Sequence, residues 1–331
     1  MDEKIEKIIE LAGNEHRYQY FTLFVIIFLW INCNFLQCVL PFLEREPIVK
    51  YTDSDGVFHD AVTLTSDLCS ELDGREYQVV ESFGYSWVSE FHIECNSTDI
   101  SNIGSFAFIG NSVGALGFSF ISKLISHKKI IIISCFCLII SSFLSTLVKS
   151  YTYFYGLLVC GIFMGFFGNC LCFSSVIIAE EIVSNKKRSL FSSLINVGYS
   201  LCGIIYTILF LAFKNWRNVI YVLIGALALT VILIWIFIYD SPREYIENKN
   251  YKKALEILEG IASFNGKLEE FKEKINQDIF QEFTGAEKDF KAKNSKENVK
   301  FEKNVDKKEI YEENFTKVNI IQNIKTESEG N

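Results

Sequence analysis

Proline is nearly absent from this chain, at 3 in 331 residues, and histidine is scarce at 4. Charge is missing where the chain is longest and most apolar. From Ile100 to Tyr239, only 11 of 140 residues are Asp, Glu, Lys or Arg, and all lie near the edges of apolar runs. No ionisable side chain sits in the middle of a run, so the ion pairs and proton relays of many membrane pumps are not expected. His16, His59, His92 and His127 all fall outside the runs. The chain shows no H-E-x-x-H pair, no Ser/His/Asp set and no paired intramembrane acids, so neither an enzyme, a metal site nor a cofactor is expected. Also lacking is a basic leader. The 17 residues before the first run are too acidic for a signal or transit peptide, and the run itself is too long for a cleaved one.

What is present is hydrophobic length. An apolar helix needs about 20 residues to cross a bilayer. Six stretches qualify: Tyr18 to Leu40, Ile103 to Ile121, Ile130 to Val148, Tyr151 to Ala179, Leu190 to Phe213 and Val219 to Tyr239. The fold class expected is therefore an all-α integral membrane protein. Its regions are an N-terminus at 1–17, a first span at 18–43, a loop at 44–100, spans two to six at 101–239, amphipathic helices at 240–286 and a disordered polar tail at 287–331. Setting aside 57 loop and 92 tail residues leaves 182. Twelve spans would need about 240, so a single six-span unit is expected.

Basic clusters in short loops face the cytoplasm. Lys123, Lys128 and Lys129 lie between spans two and three, and Lys186, Lys187 and Arg188 between four and five. Both termini are then expected to be cytoplasmic, in the plasma membrane or an endomembrane, with the loop on the exoplasmic side. Lys214 and Arg217 run against this rule. The loop from Glu44 to Asp99 holds 13 acids and 3 bases, which accounts for the chain's net charge of −8. That charge is thus a matter of topology and implies no nucleic-acid partner. The loop also holds Cys69 and Cys95, the only 2 of 10 cysteines outside the runs. They are candidates for a disulfide, with two free thiols as the alternative. Asn96, followed by Ser97 and Thr98, is a glycosylation sequon. The other cysteines suit small apolar packing.

Inside the spans the residues are small or polar. Span one carries Asn34, Gln37 and Cys38, with Pro41 one turn on. Span two presents Gly104, Asn111, Ser112, Ala115 and Ser119. Span four has Gly161, Gly165, Gly168, Asn169, Cys172 and Ser175, and span five has Ser192, Ser193, Asn196, Tyr199, Ser200 and Gly203. Such residues let helices approach closely and hydrogen-bond across the contact. The functional alternative is that spans one, two, four and five surround an aqueous cavity while three and six face lipid. Beyond the sixth span, Tyr251, Ala254, Leu255, Leu258, Ile261 and Ala262 recur at helical spacing, and Leu268, Phe271, Ile275 and Ile279 continue a narrower stripe.

Several segments resemble the major facilitator superfamily, and within it the organic cation and organic anion transporters of the solute carriers. Tyr239-Asp-Ser-Pro-Arg-Glu-Tyr-Ile, followed by the helix ending Ser263-Phe-Asn-Gly266, is similar to that family's P-E-S-P-R-W-L run and its "EA..IL..IA..NG" helix. Ser86-Trp-Val-Ser-Glu-Phe-His-Ile-Glu-Cys95 resembles the segment before its second helix. Glu181 to Arg188 and Asn196-Val-Gly-Tyr-Ser-Leu resemble its fourth loop and fifth helix, and Trp216-Arg217 its "W-R" before helix six. The resemblance covers about Glu10 to Lys267.

It implies the N-terminal six-helix half of a major facilitator fold, which moves a small organic solute by alternating access. Asn34, Gln37, Asn111, Asn169, Asn196 and Tyr199 are the candidate solute contacts. A cytoplasmic gating network would involve Lys123, Lys128, Glu181, Arg188, Asp240 and Arg243. Lys123 stands where the family has an aspartate, and Leu157 where many relatives have an arginine. Glu181 with Arg188 is a candidate ion pair, with solvated charges as the alternative. The partners implied are a small organic solute, the lipid bilayer and, in one arrangement, a second copy of the chain. A non-transporting pseudo-transporter or receptor-like protein is the alternative function, and sugars are the alternative substrate class.

Overall fold

The computed structural model describes residues 2–13, 16–52, 56–72, 76–80 and 86–278. Two helices, α1 (Asp2–Gly13) and α2 (Arg17–Cys33), open the chain, and α3 (Phe35–Leu43) continues α2 after a break at Asn34. The break has a local cause. Asn34 donates from its side-chain amide to the Trp30 carbonyl at 3.0 Å, taking an acceptor that the helix ladder would otherwise use.

The loop that follows has a fold of its own. Strands β1 (Ile48–Thr52), β2 (Phe58–Thr63) and β3 (Tyr77–Val79) form an antiparallel sheet in the order β2-β1-β3. Val49, Leu64, Leu68 and Leu72 make its small core, with α4 (Ser66–Leu72) contributing two of them. Cys69 and Cys95 are joined by a disulfide across 26 positions. It ties α4 to the segment just after α5 (Trp87–Phe91).

Five long helices follow: α6 (Ser97–Ile121), α7 (His127–Leu147), α8 (Phe154–Glu181, entered through a 3-10 turn at Tyr151–Tyr153), α9 (Asn185–Phe213) and α10 (Trp216–Phe237). With α2 and α3 taken together, 6 helical segments among the described residues are long and apolar enough to cross a membrane. Span two begins at Ser97, six residues before the apolar run, because Asn96 caps it: its side-chain Oδ1 accepts the Asp99 N–H at 3.2 Å. Helix α8 is the hub, packed against α6, α7 and α2, while α9 lies on α2 and α3 and α10 on α7. Where α6 crosses α8 the backbones nearly touch. A Cβ on Gly110 would stand 2.2 Å from the Ile162 carbonyl oxygen, and one on Gly165 2.5 Å from that of Ala107. Only glycine permits so close an approach.

Many span hydroxyls are satisfied within their own helix. Ser105, Ser112, Ser193 and Thr207 each donate to the carbonyl four residues earlier, which removes the cost of an unpaired polar group in hydrocarbon. Spans two and five are nonetheless the least covered of the six, and span three is half buried against its neighbours. Span three is thus a packing helix in its own right.

Helices α11 (Pro242–Glu247), α12 (Tyr251–Phe264) and α13 (Leu268–Asp278) complete the described chain. Three short helices thus stand where two were expected, with Pro242 opening the extra one. The buried stripe of α12 is Ala254, Ile257, Leu258, Ile261 and Ala262, so Ile257 takes the place expected for Leu255. This stripe covers α1, whose Ile8, Ile9 and Ala12 are buried. The first residues, read as a plain polar terminus, thus include a packed helix. Ile279 and the tail expected from residue 287 lie outside the described residues.

Asn265, at the end of α12, fastens this layer to span one. Its side-chain oxygen accepts the Tyr18 N–H at 2.9 Å, and its nitrogen donates to the Ala12 carbonyl at 3.0 Å and to Gln19 Oε1 at 3.3 Å. Asn265→Ala is expected to cost about 1–3 kcal/mol by leaving partly buried groups unpaired. The check is hydrogen exchange, which should speed up in α1 and α12 and stay unchanged in α7.

Candidate functional site

Amides that the sequence scatters over three spans meet in the middle of the bundle. Asn34, Gln37, Asn111 and Asn169 line one hollow together with Cys33, Leu36, Met164, Gly165, Gly168 and Cys172. Asn169 donates across the α6–α8 crossing to the Asn111 carbonyl at 2.5 Å. Cys172 donates to Asn34 Oδ1 at 3.7 Å, and the sulfurs of Cys33 and Cys172 stand 3.2 Å apart. These bonds join spans one, two and four through groups that are neutral throughout. The hollow measures about 20 Å³. That is room for about one water, whereas a pocket for an organic molecule runs to about 300 Å³ or more. By itself the site is one wall.

Asn196 and Tyr199, grouped with these residues from the sequence, are not among the lining residues. Both are exposed on α9, and Asn196 turns its amide back to the Ser192 carbonyl at 2.9 Å. Two polar contacts between span one and its neighbours escaped the sequence reading. Asn32 is buried and accepts a 2.8 Å hydrogen bond from Tyr206 on α9, and Trp30 donates to Ser175 on α8 at 2.9 Å. A buried amide inside an apolar helix requires a partner, and that requirement was the signal available for Asn32.

A second cluster lies at the end of the bundle nearest α11. Glu181 accepts a hydrogen bond from Ser241, with Arg243 as the cation acting on it. Arg188, expected to pair with Glu181, instead has its Nε buried without a hydrogen-bond partner among the described residues. Lys128 donates to the Trp235 carbonyl at 3.4 Å and feels the Asp240 carboxylate, which itself accepts from Tyr245 at 3.2 Å. Glu244 accepts the backbone N–H of His127 and so caps α7, where the helix dipole favours a negative charge. Burial pushes the Glu244 carboxyl above its ordinary range, and that hydrogen bond opposes the rise. Lys123 is exposed on the turn after α6. Of the six expected members, Glu181, Arg243, Asp240 and Lys128 are drawn to the start of α11, and Lys123 is left outside.

At the opposite end, the loop is stitched to the bundle by Glu90. This carboxylate accepts from Trp216 Nε1 and forms an ion pair with Arg217. Arg217 spends its other donors on the carbonyls of Thr146 (3.1 Å) and Val148 (2.5 Å), which α7 leaves unsatisfied at its end. Trp87 packs edge-on against Trp216, with ring centroids 5.6 Å apart. Asp99 is buried and accepts from Tyr151 at 2.8 Å, from Tyr155 at 3.3 Å and from Asn96 Nδ2 at 2.8 Å. Asn96 itself is exposed, but its amide nitrogen is held in that bond.

A bundle of six apolar helices with a folded first loop, short helices after the sixth span and neutral amides at its centre is the architecture to compare with known proteins. The model of the family described as sugar (and other) transporter matches residues 62–308. The chain belongs to that family. Its family is one of the major facilitators, and its relatives include proteins named as transporters of organic cations and carnitine or of organic anions. Organic cation/carnitine transporter 3 of Arabidopsis thaliana is 25% identical over 281 residues, covering 80% of this chain and 50% of the relative. Solute carrier family 22 member 3 of Mus musculus is 24% identical over 181 residues, or 54% of this chain and 32% of the relative. Organic anion transporter 3 of Oryctolagus cuniculus is 28% identical over 200 residues, or 60% and 36%. The chain thus spans half the length, or less, of these relatives. Within the transporter family match fall both the α6–α8 crossing and the Glu90–Arg217 stitch.

Proposed function

We propose that this chain supplies one wall of a carrier for a small organic solute and works by alternating access against a second set of spans. The observation that carries the reading is the convergence of Asn34, Gln37, Asn111 and Asn169 on one hollow, each from a helix that also packs the bundle. Polar residues left uncovered on α6 and α9, among them Ser112, Asn196 and Tyr199, support it. In hydrocarbon such a face favours a partner surface over lipid. The second set would be six further spans or a second copy of this chain. Asn196 and Tyr199 then belong to the face that meets it.

In this reading the cluster around Glu181, Asp240 and Arg243 is the cytoplasmic latch, and both termini lie on its side. The loop between spans one and two is exoplasmic, consistent with the Cys69–Cys95 bond. The solute is an organic cation or anion, as the names of the relatives suggest, with a sugar as the alternative class.

Uptake into proteoliposomes tests this directly, with tetraethylammonium, carnitine, para-aminohippurate and glucose as probes. Asn169→Leu is expected to lower uptake of the transported probe at least tenfold while insertion and folding are kept. If neither the chain alone nor the chain with a second six-span partner moves any probe, the non-transporting reading replaces this one.

A further inference from the structure

A second polar recess lies away from the hollow between the spans. A cavity of about 390 Å³ opens between the loop and the start of α10, lined by Val79, Ser89, Glu90, His92, Glu94, Asn215 and Arg217. That volume is within the range of small-molecule sites, about 300–1,000 Å³.

Which lining groups are still available decides the ligand. Arg217 donates from each of its three nitrogens, to Glu90, Thr146 and Val148, and its charge is paired with Glu90, so it offers little to an anion. Glu90 is engaged by Trp216 and Arg217. Ser89 is tied to Ser86 in a reciprocal cap. Asn215 uses its side-chain oxygen on the Arg217 N–H at 2.9 Å, which leaves its amide nitrogen as a donor.

Glu94 is the exception. Its side chain is only 6% exposed, yet Oε2 has no hydrogen-bond partner among the described residues. Oε1 has only a long bond from Tyr77 at 3.4 Å, and His92 Nδ1 stands beyond hydrogen-bond distance at 3.8 Å. A buried carboxylate with unused acceptor capacity is costly unless something donates to it. The charge of the cavity follows from the same count. Glu90 and Arg217 cancel, and Glu94 remains.

We propose that this cavity binds the ammonium group of a small organic cation, with Glu94 as its acceptor and Asn215 donating to a hydroxyl or ether oxygen on the same molecule. The site prefers primary or secondary ammonium to quaternary, because Glu94 needs an N–H. A divalent metal fits less well, since the described residues contain no group of three His, Cys, Asp or Glu placed to hold one. The proposal does not rest on transport, as the cavity is formed by the loop and the ends of spans.

The test is calorimetric titration of the full chain in lipid nanodiscs with 3-hydroxypropylammonium, tetraethylammonium, butyrate and zinc ion. The first is expected to bind at least tenfold tighter than the second, and butyrate not at all. Glu94→Gln is expected to weaken it at least tenfold. Where that substitution disturbs the loop, His92→Lys serves instead: His92 is exposed and its ring stands 3.8 Å from Glu94 Oε1, so the added ammonium competes with the cation for that carboxylate. Gly225→Ala, on α10 where an added Cβ meets nothing within 4 Å, should leave binding unchanged. Binding of butyrate or zinc in preference to the ammonium overturns the proposal, as does ammonium binding indifferent to both Glu94→Gln and His92→Lys. Binding kept in a chain that moves no solute sinks the transport reading and leaves this one standing.

Discussion

Replacing Arg217 by methionine is expected to destabilise the bundle by about 3–5 kcal/mol, the usual cost of removing one partner of a buried ion pair. Four contacts go at once. Glu90 keeps a bond from Trp216 but loses its countercharge, and the carbonyls of Thr146 and Val148 lose the donor that closes the end of α7. Trp216 loses the guanidinium stacked 4.5 Å from its ring. The side chains of Arg217 and Glu90 are 17% and 19% exposed, so water restores little of this. Arg217→Lys should recover only part, because a single ammonium cannot serve three acceptors in different directions. Combining Glu90→Gln with Arg217→Met should recover more, since no buried charge is then left alone. Thermal unfolding in detergent, read as a double-mutant cycle, checks this. A loss below about 1 kcal/mol for Arg217→Met would make the pair a surface contact and end the argument.

The same pair accounts for what the charge rule left unexplained. In the proposed orientation Arg217 falls on the exoplasmic side, where the positive-inside rule expects few bases, and Glu90 neutralises it. Both residues stood in segments that the family resemblance had picked out, Glu90 before span two and Arg217 before span six. No local pattern joins two positions 127 residues apart. Periodicity and hydropathy report what a segment buries, and they are silent on which distant segment covers it. Hence the six spans were legible from apolar length, and the stripe of α12 nearly so. The sheet of the loop was not: β1, β2 and β3 have only 5, 6 and 3 residues, too short for alternation to stand out. Helix α1 was missed because its polar, charged face hides the buried side of Ile8, Ile9 and Ala12.

The candidate site divides along the same line. Asn34, Gln37, Asn111 and Asn169 were readable because amides are rare in apolar helices and so conspicuous there. Asn196 was equally conspicuous, but its bond to Ser192 lies within its own helix. Composition cannot tell an amide that reaches across a contact from one that returns to its backbone. The Glu181–Arg188 pair shows the converse for charge: seven residues apart, they sit on either side of the turn between α8 and α9, and Glu181 is held by Ser241 of a later segment.

The small residues of spans two and four give the second large effect. Gly110→Val is expected to cost about 3 kcal/mol or more and to separate α6 from α8. The three atoms nearest the added Cβ all belong to the Ile162 backbone, at 2.2, 2.8 and 2.8 Å, so no side chain can rotate out of the way. One turn along, Gly165 is held against the backbone of Ala107 and Asn111 in the same manner, and the crossing cannot slide to relieve either contact. Separation would also stretch the 2.5 Å bond from Asn169 to the Asn111 carbonyl and open the hollow. Stability and the proposed solute site are thus coupled at this crossing. Gly225→Ala on α10 is the control, since a Cβ there meets nothing within 4 Å. By helix propensity alone it should be neutral or stabilising by up to about 1 kcal/mol. Unfolding of the two variants in a denaturing detergent series separates the effects. Equal loss in both would mean that close approach at the crossing does not govern these glycines. Loss confined to Gly110→Val means that the crossing is set by the absent side chain, and that the stripe of small residues divides into contacts, such as Gly110 and Gly165, and open positions, such as Gly161 and Gly203.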